Sequence, residues 1–101
     1  MGERLLLADF EPHVGTSFRL SAESIDIDVV LVSGEELISG PEAHLPDVSF
    51  SLLFRGPREH KLPQMTRRLG HPELGDLEIF LTPVSEDEDG RYYEAVFNYV
   101  D

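Results

Sequence analysis

The chain of 101 residues is long enough for one domain with one modest core, and its hydrophobic fraction of 41% argues against general disorder. It contains no cysteine, which excludes disulfides, thiolate metal ligands and cysteine nucleophiles and suits a cytoplasmic protein. Twenty acidic and eight basic residues give a formal net charge of -12, which opposes binding to nucleic acid and anionic lipid. No apolar run approaches the roughly 18 residues of a membrane span. We therefore expect a soluble, cytoplasmic, single domain over residues 1–101 that binds neither membrane nor nucleic acid.

The N-terminal third predicts one short helical turn and two strands. Asp9 is a candidate N-cap for a turn within residues 9–15, and Pro12 keeps that turn short. Residues 16–22 predict a short strand. In the next strand, over residues 25–32, an apolar set alternates with a set that is acidic at first and then apolar. The first set is Ile25, Ile27, Val29 and Leu31, and the second is Asp26, Asp28, Val30 and Val32.

Residues 47–57, DVSFSLLFRGP, give the clearest strand pattern in the chain. Alternation with period two directs one set of side chains to a core and the other set to a second, partly covered face. Asp47 and Arg55 flank this apolar strand, and Gly56-Pro57 ends it because proline donates no ladder hydrogen bond. The core set is Val48, Phe50, Leu52 and Phe54. Residues 33–47, which hold two glycines and two prolines, predict a loop.

The next segment predicts a hairpin. Its arms are residues 64–69 and 77–82. Between them Pro72 presets the backbone of a turn, and Gly75 takes a positive φ at the exit. Pro83 is expected to end the second arm.

The last predicted turn, SEDEDG, is acidic and closes with Asp89-Gly90, a strong hairpin signal. The strand that follows, over residues 91–100, is expected to pair antiparallel with residues 76–82. About six short strands separated by turns therefore predict an all-β fold. Its architecture is either an antiparallel small barrel or a sandwich, with one short helical turn near the N-terminus.

No arrangement of residues in the sequence identifies an enzyme. The chain has four histidines, which show none of the spacings of zinc sites. The acidic turn resembles a calcium loop as far as Gly90, but Val96 stands where that loop requires a bidentate glutamate. Neither a nucleophile elbow nor a phosphate-binding glycine loop occurs. We therefore predict no catalytic residue, no cofactor and no metal site; the alternative for the acidic turn is a weak surface site for a divalent cation. The histidines are His13, His44, His60 and His71.

The basic residues are unevenly distributed along the chain. Between Arg19 and Arg55 there is no lysine or arginine, whereas acidic residues are frequent there. Five basic residues then follow within a short stretch, which predicts one acidic and one basic face. If residues 64–69 form a strand, Arg67 and Arg68 lie on opposite faces, so at most one of them points to the core. The basic stretch contributes Arg55, Arg58, Lys61, Arg67 and Arg68.

Short motifs spread over nearly the whole chain carry a family resemblance. They are FEPHVGTSFRL at 10–20, FSLLFRGP at 50–57, LPQ at 62–64, HPELG at 71–75, EIFLTPV at 78–84 and YEAVFN at 93–98. Together they resemble a family of small bacterial domains of unknown function, about as long as this chain. The resemblance implies no established activity, cofactor or catalytic residue. It also implies a neighbourhood of phage-tail-related proteins and hence an accessory or assembly role.

Two functional hypotheses follow. The first is a non-catalytic structural or interaction module that docks on a protein partner, or on copies of itself, through complementary acidic and basic faces. Its candidate interaction surface is Arg55, Arg58, Lys61, Arg67 and Arg68. The second is a small β-barrel that binds an anionic small molecule in an aromatic-lined cavity. In that case Arg55, Arg58 or Arg68 meets the anionic group.

Overall fold

Six strands and one helical turn make up most of the molecule, as the alternation of apolar and polar residues predicts. The computed structural model describes residues 5–37 and 48–99, and of Val48 and Tyr99 the backbone alone. A short helix, α1 (Leu7–Phe10), continues into a 3₁₀ turn at Glu11–His13. The strands are β1 (Ser17–Ala22), β2 (Ile25–Glu36), β3 (Val48–Gly56), β4 (Met65–His71), β5 (Gly75–Asp87) and β6 (Gly90–Tyr99). Within these ranges no helix is long and apolar enough to cross a bilayer.

The strands close into a barrel, which decides between the two architectures that the sequence leaves open. Their order around the barrel is β1-β2-β3-β6-β5-β4, and β4 returns to pair with β1. Every neighbouring pair is antiparallel, including the predicted pairing of β5 with β6. The β1–β2 turn, the β3–β4 loop and the β5–β6 turn therefore meet at one end of the barrel, the lower end. The helical segment and the β4–β5 turn lie at the opposite, upper end.

Inward-facing side chains fill the barrel. In β3, Phe50, Leu52 and Phe54 are at most 1% exposed, as predicted, while the side chain of Val48 lies outside the described residues. In β2 the predicted apolar face is buried except for Ile25, which is 42% exposed because it begins the strand beside the β1–β2 turn. The other large side chains that are fully buried include Phe10, Phe18, Leu20, Leu69, Leu81 and Tyr93.

Aromatic packing closes the upper end. Phe10 of α1 is fully buried, and its ring centroid lies 5.7 Å from that of Phe97 and 6.2 Å from that of Phe50. The Phe50 and Phe97 rings stack with a centroid distance of 4.7 Å. Such contacts stabilise a core by about 0.5–1.5 kcal/mol beyond the burial of apolar area. The helical turn thus acts as a plug over the barrel.

The helical turn begins at Leu7, earlier than the predicted turn within residues 9–15. Asp9 is not the N-cap, because the cap position is Leu6 and Asp9 is the third helical residue. The Asp9 Oδ2 atom accepts a hydrogen bond from the Leu6 N–H at 2.7 Å and so satisfies a backbone donor that the helix leaves free. A carboxylate at this position also interacts favourably with the positive end of the turn.

Two strands run further than predicted because each contains a β-bulge. β2 continues to Glu36, since the register shift between Leu31 and Ser33 inserts one residue and lets pairing with β3 resume. The predicted loop over residues 33–47 is therefore wrong for its first residues, and 38–47 lie outside the described part. β5 likewise passes Pro83, because the shift between Pro83 and Ser85 restores its pairing with β6.

Glycine is required at two turn positions for different reasons. Gly75 has a φ of +79°, as predicted, in an open turn where an added Cβ would meet nothing within 4 Å. Gly90 has a φ of +158°, and a Cβ there would lie only 2.3 Å from the carbonyl oxygen of Gly56. The start of β6 thus approaches the end of β3 more closely than any other residue type allows.

We expect Gly90→Ala to lower the free energy of unfolding by about 3 kcal/mol, because it adds overpacking to backbone strain. Gly75→Ala is the matched control, with backbone strain alone and an expected loss of about 1 kcal/mol. Equilibrium unfolding in urea measures both losses. Equal losses for the two variants would show that the contact at Gly90 relaxes without cost.

Candidate functional site

A cleft of about 450 Å³ opens at the lower end of the barrel. Its apolar part is formed by Ile27 of β2 and Gly56 of β3. Its polar groups come from the surrounding strands and loops. Barrel closure brings these segments together, although they are distant in sequence. The lining residues are Ile27, Asp28, Arg55, Gly56, Pro57, Glu59, His60 and Asp89.

Side chains from inside the barrel hold the β3–β4 loop over the lower end. The buried Tyr93 donates a hydrogen bond from its hydroxyl to the carbonyl oxygen of His60 at 3.2 Å and accepts one from the Leu62 N–H at 3.3 Å. Arg67 Nη2 donates to the carbonyl oxygen of Pro63 at 3.2 Å. Leu62 itself packs against the core. The loop that forms one wall of the cleft is therefore fixed at three backbone positions.

The opposite wall is the β5–β6 turn, which Asp87 organises. Its Oδ1 accepts hydrogen bonds from the N–H groups of Asp89 at 2.8 Å and Gly90 at 3.2 Å. Its Oδ2 accepts one from the Tyr92 hydroxyl at 3.0 Å. These bonds, that from Asp89 above all, hold the pKa of Asp87 below its usual range. The hydrogen bond from the Tyr92 hydroxyl to Asp87 raises the pKa of Tyr92. The Asp87 carboxylate is thus committed to the turn.

Because Asp87 is so engaged, the acidic turn is a hairpin that satisfies its own backbone donors. Among residues 5–37 and 48–99, no three His, Asp or Glu side chains are grouped to hold a metal ion.

Several charges around the cleft are already neutralised within the protein. Asp28 on the rim pairs with Arg19 across the β1–β2 ladder, with 2.7 Å between Oδ1 and Nε. Arg55 lies near enough to Asp87 and Tyr92 to lower the pKa of both groups.

Two further lower-end cations, Arg58 and Arg91, share one carboxylate, whereas Lys61 forms no ion pair with any residue that the structure describes. Glu86 forms a short ion pair with Arg91 and lies 4.0 Å from Arg58 Nη2. Glu59 and Asp89, by contrast, form no ion pair with any residue that the structure describes. The cleft therefore has a negative excess, contributed by these two carboxylates.

The structure separates the five predicted basic surface residues. Arg55, Arg58 and Lys61 lie at the lower end, whereas Arg68 faces outward from β4 and pairs with Glu78 across the β4–β5 ladder at 3.8 Å. Arg67 is 5% exposed, so its assignment to an interaction surface was wrong. As the alternation of the strand requires, one of the two neighbouring arginines faces inward, and it is Arg67. A single basic face is not formed.

Arg67 is unusual among the interior residues. Its Nε atom is buried and has no hydrogen-bond partner, and no carboxylate of the described residues pairs with its guanidinium. Among the described residues, its guanidinium forms one hydrogen bond, from Nη2 to the carbonyl oxygen of Pro63. A buried cation in this state retains much of its desolvation penalty.

The acidic residues of the cleft could not be identified from the sequence pattern. Glu59, His60 and Asp89 carry no motif, and they become neighbours only because three connections meet at the lower end. The turn residues Gly56-Pro57 and Asp89-Gly90 were recognised, but only as turns. A prediction that these two turns lie at the same end of the barrel would have located the cleft.

Comparison with known families gives one match. A family model described as a domain of unknown function (DUF6916) covers residues 5–97. No curated protein and no solved structure matches the chain.

We expect Arg67→Met to raise the free energy of unfolding by about 1 kcal/mol, because the replacement removes an unpaired buried cation and keeps most of the side-chain volume. Arg68→Met is the matched control on the outer face, where little change is expected because exposed ion pairs contribute little. Urea unfolding compares the two. Destabilisation by Arg67→Met would mean that its bond to Pro63 outweighs the desolvation of the guanidinium.

Proposed function

The chain belongs to the DUF6916 family of domains of unknown function, and from its geometry we propose that it is a non-catalytic interaction module. It docks on a protein partner through its lower end, where the cleft receives a positively charged segment of that partner. The observation that carries the proposal is the pair of uncompensated carboxylates, Glu59 and Asp89, on the two walls of one cleft.

Electrostatics supports a cationic partner. The net charge of -12 attracts positively charged surfaces at long range and steers their approach. Described arginines other than the buried Arg67 lie beside carboxylates of the same chain, as Arg19 does beside Asp28. Of the two complementary faces in the first hypothesis, our proposal therefore keeps the acidic face on this chain. The basic face belongs to the partner. This revises the hypothesis of two complementary faces on one molecule.

The form of the cleft supports a protein segment as the occupant. Ile27, Gly56 and Pro57 offer an apolar surface for the stem of a lysine or arginine, while the carboxylates lie where its charged head would reach. The fixed β3–β4 loop keeps this wall in place before the partner arrives, which lowers the entropic cost of docking. Such a module fits the accessory or assembly role that the family resemblance implies.

The second candidate function is binding of an anionic small molecule. Arg55 and His60 on the cleft wall favour it. The aromatic residues expected to line an internal cavity do not do so: Phe50, Phe54 and Tyr93 fill the core, and Phe80 faces solvent at 51% exposure. Any such ligand would therefore bind in the cleft at the end of the barrel.

A peptide titration tests the proposal. Fluorescence anisotropy would compare a labelled peptide rich in lysine and arginine with a peptide of the same length rich in glutamate. We expect the basic peptide alone to bind, and Glu59→Gln/Asp89→Asn to weaken its affinity about tenfold, because two ion pairs of about 0.2–1 kcal/mol each are lost.

The matched control removes the same charge from the upper end, through Glu35→Gln/Glu36→Gln. Both residues are exposed and lie away from the cleft. This variant should change the affinity less than twofold. If both double variants weakened binding equally, the affinity would reflect only the overall negative charge of the protein, and the proposal would be contradicted. Binding of the acidic peptide alone would favour the second candidate function.

A further inference from the structure

A cluster of hydrogen bonds around His71 occupies the upper end of the barrel, away from the cleft. His71 ends β4, and its side chain faces inward and is 7% exposed. Its ring centroid lies 4.5 Å from the ring centroid of Phe18 in β1 and 4.5 Å from that of His13 in the 3₁₀ turn. The imidazole therefore lies between the helical segment and the barrel wall.

The hydrogen bonds determine the protonation state of this ring. The Glu73 N–H donates to Nδ1 at 3.1 Å, so Nδ1 acts as an acceptor and carries no proton. Thr16 Oγ1 donates its single proton to the carbonyl oxygen of His13 at 2.6 Å. In its 3.1 Å contact with Nε2 the hydroxyl must therefore accept, and Nε2 carries the proton. The network accommodates one neutral tautomer.

Protonation of His71 conflicts with this network. A proton on Nδ1 would face the Glu73 N–H, so two donors would meet and this bond within the β4–β5 turn would be lost. The bond between Nε2 and Thr16 survives protonation, so the segment is loosened by the charge of the buried ring beside His13. Burial lowers the pKa of His71, and the neighbouring His13 lowers it further, whereas the Glu73 carboxylate acts in the opposite direction. These are the titratable groups that face the ring, because Thr16 and Phe18 on the β1 side are uncharged.

The cluster joins the N-terminal segment to the barrel. Thr16 and His13 belong to the connection between the 3₁₀ turn and β1, and His71 and Glu73 belong to the β4–β5 turn. The same connection is held to β2 by a bond from the Gly15 N–H to the Leu31 carbonyl oxygen at 2.7 Å. Just before it in the chain comes Phe10, the plug of the upper end.

We propose that His13, Thr16, His71 and Glu73 form an acid-sensitive clasp, which holds the helical segment on the barrel near neutral pH and releases it in mild acid. Release uncovers the aromatic surface of Phe50 and Phe97 beneath Phe10. The direction of the pH dependence follows from the linkage between protonation and folding, because the unfolded chain binds the His71 proton more readily than the folded chain does. The clasp contributes its full stability above about pH 6.5, the ordinary histidine value, and loses it as the pH falls below that value.

Amide hydrogen exchange on the whole chain tests the clasp. We expect amides of residues 7–16 to exchange about tenfold faster at pH 5.0 than at pH 7.5 after correction for intrinsic rates, because the open form binds the His71 proton more readily. Amides of β3 and β6 should keep their protection. Uniform acceleration over all strands would overturn the proposal, because it would show global rather than local opening.

Two variants identify the responsible ring. His71→Asn keeps an acceptor near the position of Nδ1 but does not titrate, so the pH response of residues 7–16 should disappear. His60→Asn at the lower end is the matched control and should keep the full response. A response that persists in H71N would overturn the proposal.

Nuclear magnetic resonance of the ring nitrogens in the unaltered chain gives a readout that does not depend on a variant folding. We expect the proton on Nε2 of His71 at pH 7.5 and a charged ring once residues 7–16 begin to exchange rapidly. A proton on Nδ1 at pH 7.5, or a ring still neutral while the segment opens, would contradict the clasp.

Discussion

The pairing of β1 with β4 is the constraint on which the rest of this structure depends. It is short, with three aligned residue pairs, from Arg19 opposite Gly70 to Ser21 opposite Arg68. Without it the six strands would form an open sheet with two free edges, and one face would need another layer to cover it. With it, every strand has two neighbours and the apolar faces meet one another. The centre of the seam, Leu20 opposite Leu69, is fully buried.

Closure also determines where function can reside. In the described residues, phenylalanine and leucine side chains fill the six-stranded barrel, and the polar groups of the cleft and of the His71 cluster lie at its two ends. The lower end gathers three chain connections, and the upper end gathers the helical segment and one turn. Each end is held by polar contacts that originate on the strands, from Tyr93 below and from His71 above. Both ends are thus built on a rigid frame.

Local features of this fold could be predicted from the sequence because they depend on neighbouring residues. Alternation in β3 identifies Phe50, Leu52 and Phe54 as core residues, and the turn chemistry of Gly75 follows from its immediate surroundings. The extension of β2 to Glu36 could not be found in this way. A bulge changes the face of each later residue, and the resulting pattern no longer alternates strictly.

Features that depend on residues distant in the chain were harder to predict from the sequence. Barrel and sandwich share the same strand pattern, and the difference lies in whether β1 meets β4. The burial of Arg67 follows from its register, but the sequence shows only that one of two adjacent arginines faces inward. The cleft required all three lower connections to be placed at once, so Glu59 and Asp89 could not be distinguished from the other acidic residues. From the sequence, His71 is only one of four histidines that lack the spacing of a zinc site. Its role in the upper end could not be predicted, because its partners Thr16 and Glu73 come from separate turns.

The position of the tyrosines gives the molecule an optical property that follows from its construction. The chain has no tryptophan and three tyrosines. Two of these, Tyr92 and Tyr93, lie at the start of β6, one bonded to the acidic turn and the other to the β3–β4 loop. The two walls of the cleft are therefore each in hydrogen-bond contact with a phenol. Two of the three tyrosine chromophores of the unlabelled protein therefore absorb at the lower end, with no indole absorption to obscure them.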